Sequence, residues 1–214
     1  MAPIIAEVDH LGIIPVVEIE NSQDAIPLAH ALIEGGLPIA EITFRTEAAQ
    51  KAIHNIARNV PRMIVGAGTV LNISQAEQAV ASGARFIVSP GFSSSVVRWC
   101  LDQGIPVFPG VATPTDIIQA LDYGLQVLKF FPAEALGGVN TLKALSGPFK
   151  KTRFIPTGGI SAENLPNYLD LQAVLACGGS WITPKKLIRS GNFEEITQLT
   201  ITATKLVKQI RYKE

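Results

Sequence analysis

The most unusual charged residue in the sequence is Lys129, which lies within the apolar run Val127–Pro132. An ordinary lysine is protonated at neutral pH and cannot attack a carbonyl, whereas apolar surroundings disfavour the ammonium form. Lys129 is therefore a candidate nucleophile that condenses with a ketone to form an imine. The competing interpretation is a structural lysine near a strand end, whose aliphatic stem carries the charge out to solvent.

A second set of polar side chains surrounds Glu41. Strand alternation places Glu41, Thr43 and Arg45 on one face and the intervening apolar residues on the other. If that face points into the protein, Glu41 is the candidate acid and base for chemistry at the lysine. The alternative is an exposed strand face that carries a surface ion pair. Glu18, in the first apolar run, is the second candidate base, because it lacks comparable polar neighbours.

Imine formation requires Lys129 to be a neutral amine, and the charges of Arg45 and Glu41 affect how readily it loses its proton. We expect burial of Lys129 among its apolar neighbours, together with repulsion from Arg45, to favour the neutral amine. An ionised Glu41 would oppose that effect, unless it acts through an intervening water. The hypothesis therefore depends on where the fold places the two partners.

Glycine pairs close two of the later apolar runs, at Gly158-Gly159 and Gly178-Gly179. Backbone N–H groups exposed at such strand ends bind phosphate, and α/β barrels frequently hold phosphate in their last two loops. The segment Gly66–Thr69 also leaves the backbone open beside a hydroxyl, although glycines there could simply form a turn. The three histidines lie away from the predicted strand ends, so we expect no metal site.

The candidate site residues lie in or next to short runs rich in Val, Ile and Phe, which must position them. The starts of successive runs are 20 to 26 residues apart. Each run is followed by an amphipathic segment, so the spacing predicts eight βα units with parallel strands covered by helices. The predicted strands are Ile13–Ile19, Ile39–Phe44, Met63–Thr69, Phe86–Pro90, Pro106–Val111, Val127–Pro132, Arg153–Gly158 and Ala173–Gly178. The clearest predicted helices are Ala25–Glu34, Thr46–Ala57, Ser74–Ser82 and a closing helix that starts at Asn192.

Eight units without a linker or a break in composition predict the α/β class and a single (β/α)8 TIM barrel that spans residues 1–214. The alternative is an open doubly wound sheet. Such a sheet usually carries a glycine-rich phosphate loop after its first strand, whereas here Glu18-Ile19-Glu20-Asn21 stands there. In a barrel, the chemistry lies at the carboxyl ends of the strands.

The composition excludes several classes of partner. The 18 basic and 18 acidic residues cancel, so the chain has no overall field for a nucleic-acid backbone, and we expect no nucleic-acid partner. No apolar run approaches the roughly 20 residues that span a bilayer, and the first residues do not resemble a signal peptide. The two cysteines are far apart in sequence. We therefore expect a cytoplasmic protein without a membrane partner.

Two long segments resemble signatures of the 2-keto-3-deoxy-6-phosphogluconate (KDPG) and 4-hydroxy-2-oxoglutarate (KHG) aldolases. The segment Gly36–Arg45 resembles the acid-containing signature, and Gly124–Glu134, continuing to Gly137-Gly138, resembles the imine-lysine signature. Shorter matches follow in order along essentially the whole chain. They are Val65–Val70, Val88–Gly91, Pro156–Ile160 and Gly178–Trp181.

The resemblance implies a metal-free, cofactor-free class I aldolase, typically a homotrimer. It implies that Lys129 forms the imine with pyruvate or the keto acid, and that Glu41 shuttles protons, partly through water. It assigns Arg45 and Thr69 to the pyruvate carboxylate, a role that suits a guanidinium fork. The remaining substrate contacts that it implies are Pro90 and Phe131 lining the pocket, Thr157 near the polar chain, and Gly158, Gly159, Gly179 and Ser180 at the phosphate.

Several functions stay open at this point. The first is cleavage of KDPG to pyruvate and glyceraldehyde 3-phosphate, with KHG, which gives glyoxylate, as a possible further substrate. The galactonate epimer of KDPG is the close alternative. A phosphate-binding barrel isomerase would need an acid–base pair but no imine. A sugar-phosphate-binding protein without catalysis would need neither Glu41 nor Lys129.

Overall fold

The computed structural model describes residues 2–212, and nine parallel strand segments form its centre. The strand residues are almost all buried, because helices cover the outer face and side chains fill the interior. The segments are β1 (Ile13–Val17), β2 (Ile39–Thr43), β3 (Ile64–Gly68), β4 (Ile87–Val88), β5 (Val107–Phe108), β6 (Gly110–Val111), β7 (Val127–Phe130), β8 (Arg153–Pro156) and β9 (Cys177–Gly179).

These segments close into one eight-stranded barrel, in which β5 and β6 are two parts of a single strand. Six segments pair in the order β5-β4-β3-β2-β1-β9 and three in the order β6-β7-β8. Bridges from Phe154 to Val174 and from Thr157 to Gly178 join β8 to the last strand. The predicted (β/α)8 barrel is confirmed. The open sheet is wrong, because β1 pairs with β9 and closes the ring.

The strand that is divided into β5 and β6 connects β4 to β7, the strand that contains Lys129. Pro109 has no N–H to donate, yet its carbonyl accepts a hydrogen bond from the Lys129 backbone N–H at 3.0 Å. Gly110 pairs with Lys129 in register, and a Cβ at Gly110 would overlap the carbonyl of Pro90. The strand therefore crosses from its pairing with β4 to its pairing with β7 at a position where only glycine fits.

Helices of different lengths form the outer layer. They are α1 (Ala2–Leu11), α2 (Ala25–Glu34), α3 (Ala49–Asn59), α4 (Ile73–Ala81), α5 (Ser94–Asp102), α6 (Pro114–Asp122), α7 (Gly138–Ser146), α8 (Leu165–Leu169), α9 (Lys185–Arg189) and α10 (Phe193–Arg211). Short 3-10 turns lie at Ser22–Asp24 and Glu134–Leu136. Buried side chains of α2, α3 and α10 pack against the barrel in one continuous core.

Helix starts follow the capping residues in the sequence. The Asn72 side chain accepts from the Gln75 N–H, and α4 begins at Ile73, one residue before the predicted start. The Asn192 side chain accepts from the Glu195 N–H and caps α10, as the sequence predicts. The predicted helix Ala25–Glu34 is observed with the same bounds. Helix α3 begins three residues later than predicted, because the Thr46 hydroxyl donates to the Ile19 carbonyl and holds that segment in a turn.

The last strand is shorter at its start than predicted. The run Ala173–Gly178 was expected to be extended throughout, whereas β9 is Cys177–Gly179. Val174 makes only an isolated bridge with Phe154, and its N–H closes a turn onto the Leu171 carbonyl. Regular pairing begins only where β9 meets β1, with Ile13 opposite Cys177.

Across residues 2–212, every helix is either too short or too polar to span a bilayer.

Candidate active site

A cavity of about 470 Å³ lies at the carboxyl ends of the barrel strands. Val16 in β1, Thr43 at the end of β2 and Gly178 in β9 lie in its wall, and most of the remaining lining comes from loops that follow the strands. Six of the residues predicted to bind substrate line it, namely Arg45, Phe131, Thr157, Gly158, Gly159 and Ser180. The barrel therefore brings together side chains that are up to 135 residues apart in the sequence.

Lys129 and Glu41 meet inside the barrel, beneath this cavity. Lys129 lies in β7 and Glu41 in β2, on opposite sides of the ring, so both side chains must point inward to meet. The Lys129 Nζ donates to Glu41 Oε1 at 3.4 Å. The two side chains are only 6% and 4% exposed, so this is a buried ion pair rather than a snorkelling lysine.

The surroundings of Lys129 differ from the expectation in one respect. Arg45 was expected to repel the ammonium group, but its side chain is 47% exposed and lies 3.7 Å from a Glu18 carboxylate oxygen, which balances its charge. The nearest charge to Lys129 is instead Glu41, in direct contact rather than through a water. Glu41 is therefore placed to accept the ammonium proton, and that transfer turns a poorly solvated ion pair into two neutral groups.

Aromatic contact connects the pair to the cavity. The Phe131 ring lines the cavity, and its centroid lies 5.2 Å from Lys129 Nζ. A cation at this distance from a ring is attracted to it, while the ring also keeps water away from the amine. A ketone bound against Phe131 would thus lie close to the nitrogen that must attack it.

Arg45 on the cavity wall and Thr69 behind it form a second polar unit. The Arg45 Nε donates to Thr69 Oγ1 at 3.2 Å, and Arg45 lines the cavity. Thr69 has a φ of +56°, in the left-handed region that a β-branched residue rarely adopts. Such backbone strain persists where the surrounding structure over-determines it, and it clusters at functional sites. Here the strained conformation is the one in which the Thr69 hydroxyl contacts the guanidinium group.

Gly68 provides the space that the Glu41 carboxylate occupies. It lies opposite Thr43 in the β2–β3 register. A Cβ built on Gly68 would lie 2.5 Å from Cγ and Cδ of Glu41 and would overlap its Oε1. The position of the carboxylate beside Lys129 therefore depends on the missing side chain at this glycine.

Replacing Gly68 by alanine is expected to lower kcat by about 10²-fold, because displacement of a catalytic group by about 1 Å has an effect of this size. We expect a loss of about 1–3 kcal/mol in the free energy of unfolding as well, from overpacking. Steady-state kinetics and denaturant unfolding measure the two effects. Gly91→Ala is the matched control, since a Cβ there has no neighbour within 4 Å and its φ is not positive. Unchanged kcat in Gly68→Ala would contradict this role.

The glycine-rich loops after β8 and β9 form the far side of the cavity. Gly158 and Gly159 have φ values of +100° and +78°, which residues with a Cβ adopt only with strain. A Cβ at Gly159 would lie 2.6 Å from the Glu134 side chain, and one at Gly178 would overlap the Thr157 hydroxyl. The chain thus approaches itself closely here and exposes backbone rather than side chains to a ligand.

Three of the predicted substrate-binding residues do not line the cavity directly. Thr69 reaches it through Arg45. Pro90 packs its backbone against Gly110, on the strand beside Lys129. Gly179 is buried beneath the Trp181 ring, which a Cβ would overlap, so this glycine shapes the loop that presents the exposed Ser180. The roles of these three residues, like those of the six that line the cavity, stay predictions.

Two features of the cavity were not predicted from the sequence. Lys185, at the start of α9, was not considered, and Glu18 was considered only as a rival base. Their side chains meet at the cavity mouth, where Lys185 Nζ lies 2.5 Å from Glu18 Oε1. The available signal was position alone, since both residues follow a strand and so lie at its carboxyl end. No spacing pattern indicates that they pair.

A metal site needs several ligand side chains close together. Between Ala2 and Tyr212, no three His, Cys, Asp or Glu side chains are grouped as metal ligands would be.

Comparisons with known proteins place the chain in a family. The model of the KDPG and KHG aldolase family matches residues 4–199. A 2-dehydro-3-deoxy-phosphogluconate aldolase from Treponema pallidum is 47% identical over 97% of this chain and 99% of its own length. The structure of the Legionella pneumophila KDPG aldolase, with pyruvate captured as a covalent carbinolamine, is 41% identical with a TM-score of 0.90, over 93% of this chain and 97% of that one. The Zymomonas mobilis KDPG aldolase, solved with 3-phosphoglycerate, is also 41% identical with a TM-score of 0.87, over 94% of each chain.

The family match covers most of the barrel, and the Treponema pallidum relative is well above the identity at which family membership is secure. Both signatures around Glu41 and Lys129 fall inside the matched residues. The chain belongs to the KDPG and KHG aldolase family.

Proposed function

We propose that this protein is a class I aldolase that cleaves KDPG to pyruvate and glyceraldehyde 3-phosphate and also accepts KHG. The observation that carries the proposal is the buried Lys129–Glu41 pair, 3.4 Å apart beneath a cavity that contains cationic and glycine-rich walls. Burial of a lysine with a single carboxylate partner is costly for stability alone. Its value lies in chemistry, because the amine can become a nucleophile and the carboxylate can carry its proton.

Imine formation is the first half of the proposed reaction. Glu41 takes a proton from the Lys129 ammonium group, and the amine attacks the C2 carbonyl of the keto acid. The protonated Glu41 then returns that proton to the carbinolamine hydroxyl, which leaves as water. The product is a cationic imine, with Glu41 again ionised beside it. A carboxylate next to the cation stabilises it in an environment of low polarity.

Carbon–carbon cleavage is the second half. Glu41 takes the proton of the C4 hydroxyl, the C3–C4 bond breaks, and its electron pair moves into the imine to form an enamine. C4 leaves as the aldehyde of glyceraldehyde 3-phosphate. Glu41 then protonates C3 of the enamine, and water hydrolyses the cationic pyruvate imine to release pyruvate and regenerate the Lys129 ammonium group. Each proton that Glu41 removes is returned, so the residue is unchanged after one turnover.

The two anionic ends of the substrate fit the two ends of the cavity. Arg45, held by Thr69, is proposed to bind the pyruvate carboxylate, because a guanidinium fork matches a carboxylate. The loops of Gly158, Gly159 and Ser180 are proposed to bind the phosphate. The carbonyl carbon would then lie between them, near Phe131 and Lys129.

Pyruvate release from defined substrates tests the function. Purified protein is incubated with KDPG, its galactonate epimer or KHG, and pyruvate is measured enzymatically. We expect turnover of KDPG and KHG, with KDPG preferred to its epimer. A barrel isomerase would release no pyruvate, and a binding protein would give a calorimetric signal without turnover. A preference for the epimer would assign the galactonate substrate instead.

Ser180→Asp is expected to raise KM for KDPG by about tenfold or more, because a carboxylate at the phosphate site repels a dianion. Ser180 suits this test because it is exposed and lines the cavity, whereas any side chain at Gly179 would collide with Trp181. KM for KHG, which lacks the phosphate, is expected to change by less than about threefold. Equal effects on the two substrates would indicate that Ser180 does not contact the phosphate. Ser180→Ala serves as the uncharged control.

We also propose a cytoplasmic homotrimer, without a metal, cofactor, nucleic-acid or membrane partner, in which residues 1–214 form one domain. The trimer follows from the family resemblance, and light scattering of the purified protein tests it. Cys100 and Cys177 are buried free thiols, which suits a reducing compartment. Burial raises the pKa of the Cys100 thiol to about 12. We expect neither thiol to react with a thiol reagent in the folded protein.

A further inference from the structure

Glu18 is the carboxylate on the wall of the active-site cavity, and the proposed reaction does not use it. Its Oε1 lies 2.5 Å from Lys185 Nζ and its Oε2 lies 3.7 Å from the Arg45 guanidinium group. The Glu18 side chain is 20% exposed, compared with 51% for Lys185 and 47% for Arg45. The carboxylate is thus the inner member of this group of three charges.

The position of Glu18 along the barrel determines which part of a substrate it would face. It follows β1, which lies between β2 and β9 in the sheet. Arg45 follows β2, and Ser180 follows β9. Glu18 therefore lies between the proposed carboxylate and phosphate ends of the cavity. A KDPG molecule that spans these ends presents its hydroxyl-bearing middle to this wall.

The ion pairs of Glu18 do not by themselves explain its place. Exposed salt bridges contribute little to stability. Glu20, two residues later, forms the same kind of pair with α9, since its Oε2 accepts from Arg189 Nε at 2.8 Å. Glu20 does not line the active-site cavity, whereas Glu18 does. The described residues therefore include two similar links from the β1 loop to α9, and of these two only the Glu18 link puts a carboxylate on the cavity wall.

We propose that Glu18 is a specificity-determining residue that favours the phosphorylated polyhydroxy substrate over the dicarboxylate KHG. Its carboxylate accepts a hydrogen bond from the C5 hydroxyl of KDPG, which becomes the C2 hydroxyl of glyceraldehyde 3-phosphate. KHG has a carboxylate at C5, and Glu18 repels it. Lys185 and Arg45 hold the Glu18 side chain and reduce its charge, so it discriminates between the substrates without excluding anions. This inference rests on the proposed function.

Two variants separate the charge of Glu18 from its hydrogen bond. Glu18→Gln removes the charge and keeps an acceptor, so kcat/KM for KHG is expected to rise about fivefold while that for KDPG changes by less than about twofold. Glu18→Leu removes both, so kcat/KM for KDPG is expected to fall about tenfold, with the gain for KHG retained. Both substrates are assayed by pyruvate release.

Glu20→Gln and Glu20→Leu are the matched controls, and we expect their ratios of KDPG to KHG activity to equal that of the unsubstituted protein. Thermal unfolding verifies that each variant is folded. If both Glu18 variants change the two substrates by the same factor, Glu18 only holds Arg45 and Lys185, and the specificity proposal is overturned. If the unsubstituted protein releases pyruvate from neither substrate, the proposed function itself fails, and this inference fails with it.

Discussion

Replacing Lys129 by arginine is expected to lower kcat/KM for KDPG by about 10⁴-fold or more, because a guanidinium group stays protonated and cannot form an imine. The substitution keeps a positive charge beside Glu41, so the carboxylate is not left buried without a partner. Steady-state pyruvate release measures the loss, and thermal unfolding measures the cost of the larger side chain. Residual activity above about 1% would contradict a covalent role for Lys129 and would favour the isomerase mechanism.

The folded state of this variant needs its own control. The Lys129 side chain is only 6% exposed, so the larger arginine overpacks the interior. We expect this to lower the free energy of unfolding by about 1–3 kcal/mol. The double variant Lys129→Met/Glu41→Gln removes both charges, and replacing a buried ion pair by groups of similar volume is often neutral for stability. We expect it to be folded and inactive. Lys143→Arg, at an exposed position on α7, should keep full activity.

Glu41→Gln is expected to lower kcat by about 10²- to 10⁴-fold, the range over which a general acid–base residue contributes. Glutamine is close to glutamate in size, so the space that Gly68 leaves still accommodates the side chain. KM should change much less than kcat, because Arg45 and the glycine loops hold the substrate. Both imine formation and bond cleavage use Glu41, so the rate of borohydride-trapped adduct formation should fall as well.

Two outcomes would contradict this account of Glu41. If kcat falls by less than about fivefold, another group moves the protons, and Glu18 would be the next candidate. If adduct formation keeps its rate while turnover is lost, Glu41 acts only in carbon–carbon cleavage. Gln198→Glu exchanges the same two residue types in the opposite direction, at an exposed position on α10. It serves as a control for the effect of a single change in charge.

Local sequence pattern predicts the barrel correctly, and it singles out Lys129 and Glu41 as candidate site residues, because both kinds of feature can be recognised within single segments. Lys129 and Glu41 stand out as charges within apolar strands, and eight apolar runs with helical segments between them specify the βα repeat. Strand alternation also predicts correctly that Glu41 and Thr43 share one face of β2, since Thr43 lines the cavity and Glu41 contacts Lys129 inside the barrel.

Contacts across the barrel cannot be recognised from a local sequence pattern. The partner of Lys129 comes from the opposite strand, and its distance depends on closure and register, which are tertiary properties. The same holds for Arg45, which contacts Thr69 and Glu18 rather than repelling Lys129. Lys185 pairs with a residue 167 positions earlier, so no local spacing indicates the contact. The turn at Thr46 likewise depends on a carbonyl from another strand end.

The central claim is that Lys129 forms an imine with the keto acid. The most direct measurement is borohydride reduction of the protein in the presence of pyruvate, followed by intact-mass and peptide mass spectrometry. The account predicts one pyruvate-sized adduct per chain, located on Lys129, and none in Lys129→Arg. Absence of an adduct from folded protein that a phosphorylated substrate measurably stabilises, or an adduct on another lysine such as Lys185, would contradict the mechanism.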